Sequence, residues 1–322
     1  MNTVMILNQM SHLRHAPGRV AGALPALLLS ALALCSLPAQ AALNVLACEP
    51  EWAALAQELG GKLLTVSSAT NALQDPHQIQ AKPSLIARAR SADLVLCTGA
   101  ELEVGWLPVL LQQSGNARVQ AGQPGNFAAA DGVRKLDVPG QLDRAQGDVH
   151  AAGNPHIQTD PRNIAVVAQA LALRLAQLDP AHATEYAQRQ ADFNQRWQQA
   201  INRWTVQAAP LRGVAVVSQH KAFVYLYDWL GLKEVAVLEP KPGVEPTASH
   251  LQSVLAALKL TPARMVLYSA SQDARPSEWL SKNAGIPAVK LAFTVGGTDG
   301  AKDLFGLFDD TLDRMLAAGA RR

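Results

Sequence analysis

The chain has 322 residues, of which 49% are hydrophobic and 17% are charged, and its formal net charge is +2. This length suffices for two lobes or for one large domain. The balance of 28 basic against 26 acidic residues leaves no strongly basic surface, so we expect neither nucleic acid nor an anionic membrane as a partner.

An export signal is predicted at the amino terminus. Arg14 and Arg19 precede a run rich in Leu and Ala over residues 20–37, and residues 39–41 then read Ala-Gln-Ala. This order is typical of a secretory signal peptide that is cleaved before Ala42. If cleavage failed, the same run would be a membrane anchor.

Cys35 does not indicate a lipoprotein, because Leu34 precedes it where a lipobox needs a small residue. We therefore expect a soluble monomer in the periplasm of a Gram-negative cell. Cleavage removes two of the 28 basic residues and no acidic residue, which leaves 26 charges of each sign.

The first half of the mature chain predicts a parallel sheet with helices on both faces. Strands are expected over residues 43–47, 62–67 and 93–97, and one helix over residues 83–92. Another helix, with apolar residues at helical spacing, ends at the C-cap signal Gly60-Gly61.

Residues 115–155 show little periodicity, and we interpret residues 140–154 as a surface loop. This loop contains Asp143, Asp148 and His150, so it either approaches a metal or is simply solvated.

A helical segment follows over residues 161–209, and Pro180 divides it. Its second part, residues 181–208, reads as one long helix. Such a helix either bridges two lobes or lies on the surface. The start of a second strand-helix series directly after it favours a bridge.

The second series mirrors the first in its order of elements. Strands are expected over residues 213–218, 235–238, 265–269 and 288–291, and helices over residues 221–230, 247–258, 277–283 and 304–317. The domains are therefore expected to be an N-terminal α/β lobe (42–160), a helical linker (161–210) and a C-terminal α/β lobe (211–322).

Cys48 and Cys97 remain after signal cleavage, and each ends a strand of the first predicted sheet. An even pair of cysteines in an oxidising compartment predicts a disulfide, and adjacent parallel strands are close enough for one. Two buried free cysteines are the alternative, because the register of the strands is open.

Three histidines follow turn-forming residues or a strand end, namely His77 in Asp-Pro-His, His156 in Asn-Pro-His and His220 in Val-Val-Ser-Gln-His. Strand ends of an α/β fold converge on one cleft, and converging neutral imidazoles form a transition-metal site. His182 and His250 lie on helical patterns and are interpreted as ordinary residues.

These histidines belong to an ordered set of motifs that spans most of the mature chain. The set resembles the metal-binding substrate-binding proteins of zinc and manganese ABC importers, and it consists of Asp75-Pro-His77, Lys82-Pro-Ser84, Ala92-Asp-Leu-Val-Leu, Gly99-Ala-Glu-Leu-Glu103, Trp106-Leu107, Asn154-Pro-His156, Thr159-Asp-Pro161, Ser218-Gln-His220, Tyr225, Trp229-Leu-Gly-Leu232 and Glu239-Pro-x-Pro-Gly-Val-Glu-Pro246.

The resemblance implies two α/β lobes joined by a long rigid helix, with the metal between the lobes. It implies ligands His77 and His156 from the N-terminal lobe and His220 from the C-terminal lobe. Relatives add a carboxylate from late in the second lobe. Asp299 is the nearest candidate here, although its surroundings depart from the usual pattern, and the alternatives are water, His150 and Glu245.

Three imidazole nitrogens with one oxygen suit Zn²⁺, whereas Mn²⁺ favours more carboxylate oxygen. The resemblance therefore implies a carrier that delivers Zn(II), or alternatively Mn(II), to an inner-membrane ABC permease. An adhesin of the same fold is a second interpretation. A secreted zinc enzyme is a third, but neither His-Glu-x-x-His nor Gly-x-Ser-x-Gly occurs in the sequence. We also expect metal loading to order loops around the cleft more than to close the lobes.

Overall fold

The computed structural model describes residues 41–140, 147 and 149–320. Residues 1–40 of the predicted export signal, and both Asp143 and Asp148, therefore lie outside the described residues. Within the described part of the chain, no helix is long and apolar enough to cross a membrane.

The N-terminal lobe is built on a four-stranded parallel sheet with the strand order β2-β1-β3-β4. Its strands are β1 (Leu43–Ala47), β2 (Leu64–Ser68), β3 (Leu94–Cys97) and β4 (Asn126–Ala128). The first three strands confirm the sequence-based expectation. The fourth was not predicted, because it has three residues and a single buried side chain, Phe127, which is too short for a recognisable pattern.

The two central strands of this sheet, β1 and β3, are buried on both faces. Val45 and Leu94 point into one apolar cluster, while Leu46 and Val95 point into another on the opposite face. This burial explains why both strands read as nearly continuous apolar runs.

A disulfide joins Cys48, just after β1, to Cys97, the last residue of β3, and their Cα atoms are 4.7 Å apart. The two strands are hydrogen-bonded neighbours in the sheet. The predicted disulfide is therefore confirmed.

Three helices pack around the first sheet, namely α1 (Pro50–Gly60), α2 (Pro83–Ser91) and α3 (Leu107–Ser114). Helix α1 buries Trp52, Leu55 and Leu59 completely, which is the helical spacing seen in the sequence. It ends where Gly61 adopts a φ of 52°, a conformation that glycine tolerates best. Helix α3 was not predicted.

Two long helices follow, α4 (Pro161–Leu178) and α5 (Ala183–Gln207). The side chain of Asp160 caps α4 by accepting a hydrogen bond from the backbone N–H of Arg162 at 2.8 Å. A short 3₁₀ turn, Pro180–His182, separates the two helices, so the break lies at the proline that predicted it.

The C-terminal lobe repeats the topology of the first. Its parallel sheet has the strand order β6-β5-β7-β8. The strands are β5 (Ala215–Ser218), β6 (Lys233–Val237), β7 (Met265–Ser269) and β8 (Ala288–Leu291). The helices are α6 (Val224–Leu230), α7 (Ala248–Leu258), α8 (Arg275–Ala284) and α9 (Leu304–Gly319). All eight elements lie where the sequence predicts them, within a few residues.

Helix α5 contacts both lobes, as the bridge interpretation predicts. Arg196 of α5 donates a hydrogen bond to Glu58 of α1 at 2.8 Å. About two turns further along, the indole N–H of Trp204 donates to Asp309 of α9 at 2.6 Å.

The largest of the apolar clusters in the described part of the chain contains residues of both lobes. It includes Leu94 of β3, Leu171 of α4, Trp197 of α5, Leu267 of β7 and Met315 of α9, each of them completely buried. The two sheets are therefore held in one packing arrangement, and this arrangement fixes the distance between the loops at their carboxyl ends.

Candidate metal centre

The three histidines lie beyond the carboxyl ends of strands from both lobes. His77 is in the loop after β2, His156 is in the connection from β4 to α4, and His220 follows β5 by two residues. Parallel strands direct these connections to the same edge of each sheet, where ligands of α/β folds bind.

Specific hydrogen bonds hold the loops that carry His77 and His156. The indole N–H of Trp106 donates to the carbonyl of Pro76 at 2.8 Å. The side chain of Asn154 accepts from the backbone N–H of His156 at 3.0 Å and donates to the carbonyl of Lys221 at 2.8 Å. Asn154 therefore ties the His156 loop of one lobe to the segment that carries His220 in the other.

The structure brings His77, His156 and His220 together. One nitrogen of each ring lies within 4.8 Å of the corresponding nitrogens of the other two. The closest pair is Nε2 of His156 and Nε2 of His220, which are 3.3 Å apart. Ligand nitrogens of a tetrahedral Zn²⁺ ion, with bonds of about 2.0–2.1 Å, are separated by a similar distance.

Carboxylates orient two of the three rings. Nδ1 of His77 donates to Asp75 and Nδ1 of His220 donates to Glu239, each at 2.7 Å. Each carboxylate oxygen also accepts a backbone N–H, from His77 itself at 3.0 Å and from Gly243 at 2.9 Å. This pattern places the proton on Nδ1 and leaves Nε2 free to bind a metal, as in many zinc sites.

The third ring, His156, is 2% exposed. Burial lowers the pKa of His156 well below its ordinary value, and repulsion from His77 and His220 lowers it further. Its ring is therefore neutral at pH 7, which is the form that binds a metal. Among the described residues, Nε2 of His77 and Nδ1 of His156 have no hydrogen-bond partner although both atoms are buried.

The candidates for a fourth ligand lie in different places. The ring of His150 stacks on that of His77 with a centroid separation of 5.4 Å. Glu245 lines the same cavity as the three histidines, and this cavity has a volume of about 290 Å³. Asp299 is exposed in the turn before α9 and does not line this cavity, so the structure does not bring it together with the histidines.

Sequence reasoning missed Asp75, Glu239 and Phe293 as parts of the site. The ring of Phe293 packs edge-on against His156 with a centroid separation of 5.1 Å. Asp75 and Glu239 could have been found, because one lies two residues before a candidate ligand and the other follows the strand next to β5. Phe293 gave no such signal, since its contact joins the two lobes.

A larger cavity of about 700 Å³ lies at the other end of the C-terminal lobe, next to Leu211, Ala263 and Leu316. Its described lining contains no histidine, cysteine or acidic side chain, so it offers nothing to a metal ion. The chemistry therefore favours the smaller cavity.

Comparison with known families gives a match along most of the chain. The family described as zinc-uptake complex component A, periplasmic (ZnuA), matches residues 45–318. A crystal structure of ZnuA shares the fold with a TM-score of 0.72 at 21% identity, over 87% of this chain and 100% of that one. The Mn-bound periplasmic metal-binding protein from Candidatus Liberibacter asiaticus gives a TM-score of 0.67 at 17% identity, over 85% of this chain and 98% of that one.

Curated relatives match this chain at similarly low identity. The manganese ABC transporter substrate-binding lipoprotein PsaA of Streptococcus pneumoniae is 24% identical over 250 residues, which are 74% of this chain and 76% of PsaA. The metal ABC transporter substrate-binding lipoprotein SloC of Streptococcus mutans is 22% identical over 257 residues, which are 78% of this chain and 81% of SloC.

Proposed function

The chain belongs to the family of periplasmic zinc-uptake complex component A proteins, and we propose that it captures Zn(II) with His77, His156 and His220 and delivers it to the permease of an ABC importer. It is a substrate-binding protein of a metal ABC transporter, and members of this family are transport proteins rather than enzymes. The metal is thus the cargo of the protein.

The convergence of three imidazoles from two lobes carries this proposal. Two of the rings are held by carboxylates with Nε2 unprotonated, and the third is buried and neutral. Three neutral nitrogen donors favour Zn²⁺ over Mn²⁺, which prefers oxygen ligands. The manganese carriers among the relatives make Mn(II) the alternative cargo.

The fourth coordination position is proposed to be filled by an oxygen. Glu245 and water are the simplest choices, because Glu245 already lines the cavity. His150 is close enough to His77 to be a further alternative. Asp299 stays a prediction, since its exposed turn would have to bring it into the cavity.

Competition titration of the metal-free protein with zinc and manganese tests the proposal. We expect one equivalent of zinc to bind and to displace manganese. The His220→Ala variant should lose this binding. The His250→Ala variant should retain it, because the ring of His250 bonds to the carbonyl of Val237 outside the site. Equal zinc affinity of the two variants would contradict the two-lobe site.

Delivery is proposed to occur in the periplasm, after cleavage of the export signal. A strain that lacks the gene, and that has no second zinc carrier, should grow poorly when zinc is limiting. Expression of the His220→Ala protein should not restore growth, while His250→Ala should. Normal zinc accumulation in the deletion strain would contradict the importer role.

A further inference from the structure

Three buried glutamates lie beside the carboxyl ends of β1 and β3, close to the disulfide. Glu49, Glu51 and Glu103 are 2%, 0% and 2% exposed. Carboxyl groups are seldom buried to this extent unless they are paired or protonated. No sequence pattern for metal binding includes Glu51, and it takes no part in the histidine site.

Two of the three carboxyl groups find their partners within the N-terminal lobe. Glu103 accepts backbone N–H groups from Thr98 at 2.7 Å and from Gly99 at 3.0 Å. The hydroxyl of Thr98 donates to Glu49 at 3.0 Å. These contacts stabilise the turn after β3 and do not involve the other lobe.

Glu51 differs because its hydrogen bonds cross to the C-terminal lobe. Its backbone N–H donates to the hydroxyl oxygen of Thr294 at 3.1 Å, and that hydroxyl donates to the Glu51 carboxylate in return. Thr294 lies between β8 and α9 and is 5% exposed. The pair therefore joins the first turn of α1 to the segment that follows β8.

The residue before Thr294 is Phe293, whose ring packs edge-on against His156. We propose that Glu51 and Thr294 form a proton-sensitive clasp between the lobes, which positions Phe293 against His156 and so sets the rate at which zinc leaves the site. This inference rests on the proposed function, because Phe293 affects metal release only if His156 binds the metal.

The clasp is sensitive to protons because of what surrounds Glu51. Burial raises the pKa of Glu51 to about 7, hydrogen bonds from Thr294 and from its own backbone oppose the rise, and the charge of Glu103 adds to it. The charges of Glu103 and Glu51 in turn raise the pKa of the buried Glu49. Among the described groups on the packed elements, no basic side chain contributes to this shift.

Ionised Glu51 accepts the Thr294 hydroxyl in a charge-assisted hydrogen bond, which is roughly twice as strong as a neutral one. Protonation weakens that bond, so the segment around Phe293 is held less firmly below neutral pH. We expect zinc release to accelerate roughly fivefold as Glu51 takes up its proton, the factor that a weakening of about 1 kcal/mol gives.

Stopped-flow capture of zinc by a chelator, from about pH 8.5 down to about pH 6, tests the clasp. In the wild-type protein the release rate should rise near pH 7. Glu51→Gln cannot ionise and should release zinc at the faster rate throughout, without that step. Thr294→Val, which loses the hydroxyl, should behave in the same way, and Thr294→Ser should match the wild-type protein.

An unchanged pH profile in Glu51→Gln, or equal rates for Thr294→Val and Thr294→Ser, would overturn the clasp. If Glu51→Gln fails to fold, the two Thr294 variants decide the question. Infrared titration of the metal-free protein separates the two proposals. The absorption change of a buried carboxyl group that ionises near neutral pH should be seen in the wild-type protein and be missing in Glu51→Gln, whether or not zinc binds. Absence of zinc binding to the wild-type protein would contradict the proposed function alone.

Discussion

The histidine site and the cluster of Glu49, Glu51 and Glu103 both bury titratable groups beyond the carboxyl ends of parallel strands, yet burial has opposite consequences in the two regions. It lowers the pKa of His156 and raises the pKa of each glutamate. In both regions the neutral form is favoured. A neutral imidazole can bind a cation, whereas a neutral carboxyl group binds one poorly. The same physical effect therefore favours metal binding in the first region and disfavours it in the second.

The hydrogen-bond partners sharpen this difference. At the histidine site, the carboxylates of Asp75 and Glu239 accept hydrogen bonds from Nδ1 of His77 and of His220, which directs Nε2 of each ring towards the cavity. In the glutamate cluster the partners are backbone N–H groups and threonine hydroxyls. Carboxylates therefore orient histidine rings in one region, whereas in the other they stabilise the turn after β3 and, through Glu51 alone, join the two lobes.

Removing a ligand should have the largest effect. His156→Ala should weaken zinc binding by at least about two orders of magnitude, because each of four ligands supplies a share of a total near 10 kcal/mol or more. The metal-free variant should still fold, since it loses a buried polar ring. Competition titration measures the affinity, and an affinity within threefold of the wild-type value would contradict the assignment.

Loss of the disulfide should act on the other region alone. The double variant Cys48→Ala/Cys97→Ala should have a free energy of unfolding that is lower by about 2–4 kcal/mol. The reason is that the disulfide joins two residues that are 49 positions apart in the chain and so closes a long loop. Zinc affinity should stay the same, because the cysteines lie away from the cavity. Urea unfolding measures the stability and zinc titration of the same sample measures the affinity. A loss of both stability and zinc affinity would contradict the separation of the two regions.

Stability against pH should show opposite slopes for the two regions. Folding raises the pKa of Glu51 from 4.5 to about 7. The contribution of protonated Glu51 to the free energy of unfolding is therefore fully present below pH 4.5. It is lost as pH rises to about 7, by up to about 3 kcal/mol. Glu51→Gln should flatten this fall. Urea unfolding of the metal-free protein at several pH values measures it.

His156 acts in the other direction. Its lowered pKa means that the unfolded chain takes up a proton first, so stability is lost as pH falls below about 6.5. The Glu51→Gln variant should therefore still lose stability as pH falls below about 6.5. If the substitution removed both slopes, the two regions would not be independent.

The smallest effect is expected for a residue that orients a ligand. Glu239→Gln should weaken zinc binding by about 10- to 100-fold, because Nδ1 of His220 loses its charged acceptor. Thr298→Val, which removes a hydroxyl bonded to Asp310 far from the histidines in sequence, serves as a matched control. Zinc titration of both variants decides, and equal affinities would contradict the orienting role.

The sequence predicted the strands whose side chains are apolar and the loops that carry the three histidines, because both depend on local patterns. The disulfide also followed from strand order. Strand β4 and helix α3 escaped prediction, since the strand is short and the helix lies beside an aperiodic segment. The glutamate cluster could not be predicted, because acidic residues usually lie at the surface and the contact of Glu51 with Thr294 spans 243 positions.

The fourth ligand depends on information that a sequence motif does not contain. Glu245 and His150 lie next to the site through loop conformation. Asp299, the candidate nearest to the position where the family resemblance implies a carboxylate, lies on an exposed turn. Spacing along the chain locates a cavity residue well when a strand end fixes it, as for His220, and poorly when a long turn intervenes.

The apolar cluster that includes residues from both sheets and from α4 and α5 has a thermodynamic consequence. Neither lobe can melt without exposing apolar surface of the other, so calorimetry of the metal-free protein should give one transition with equal calorimetric and van't Hoff enthalpies. A zinc ion bound in the cleft then shifts this whole transition upward by mass action, which makes the melting temperature a direct gauge of how much metal the carrier holds.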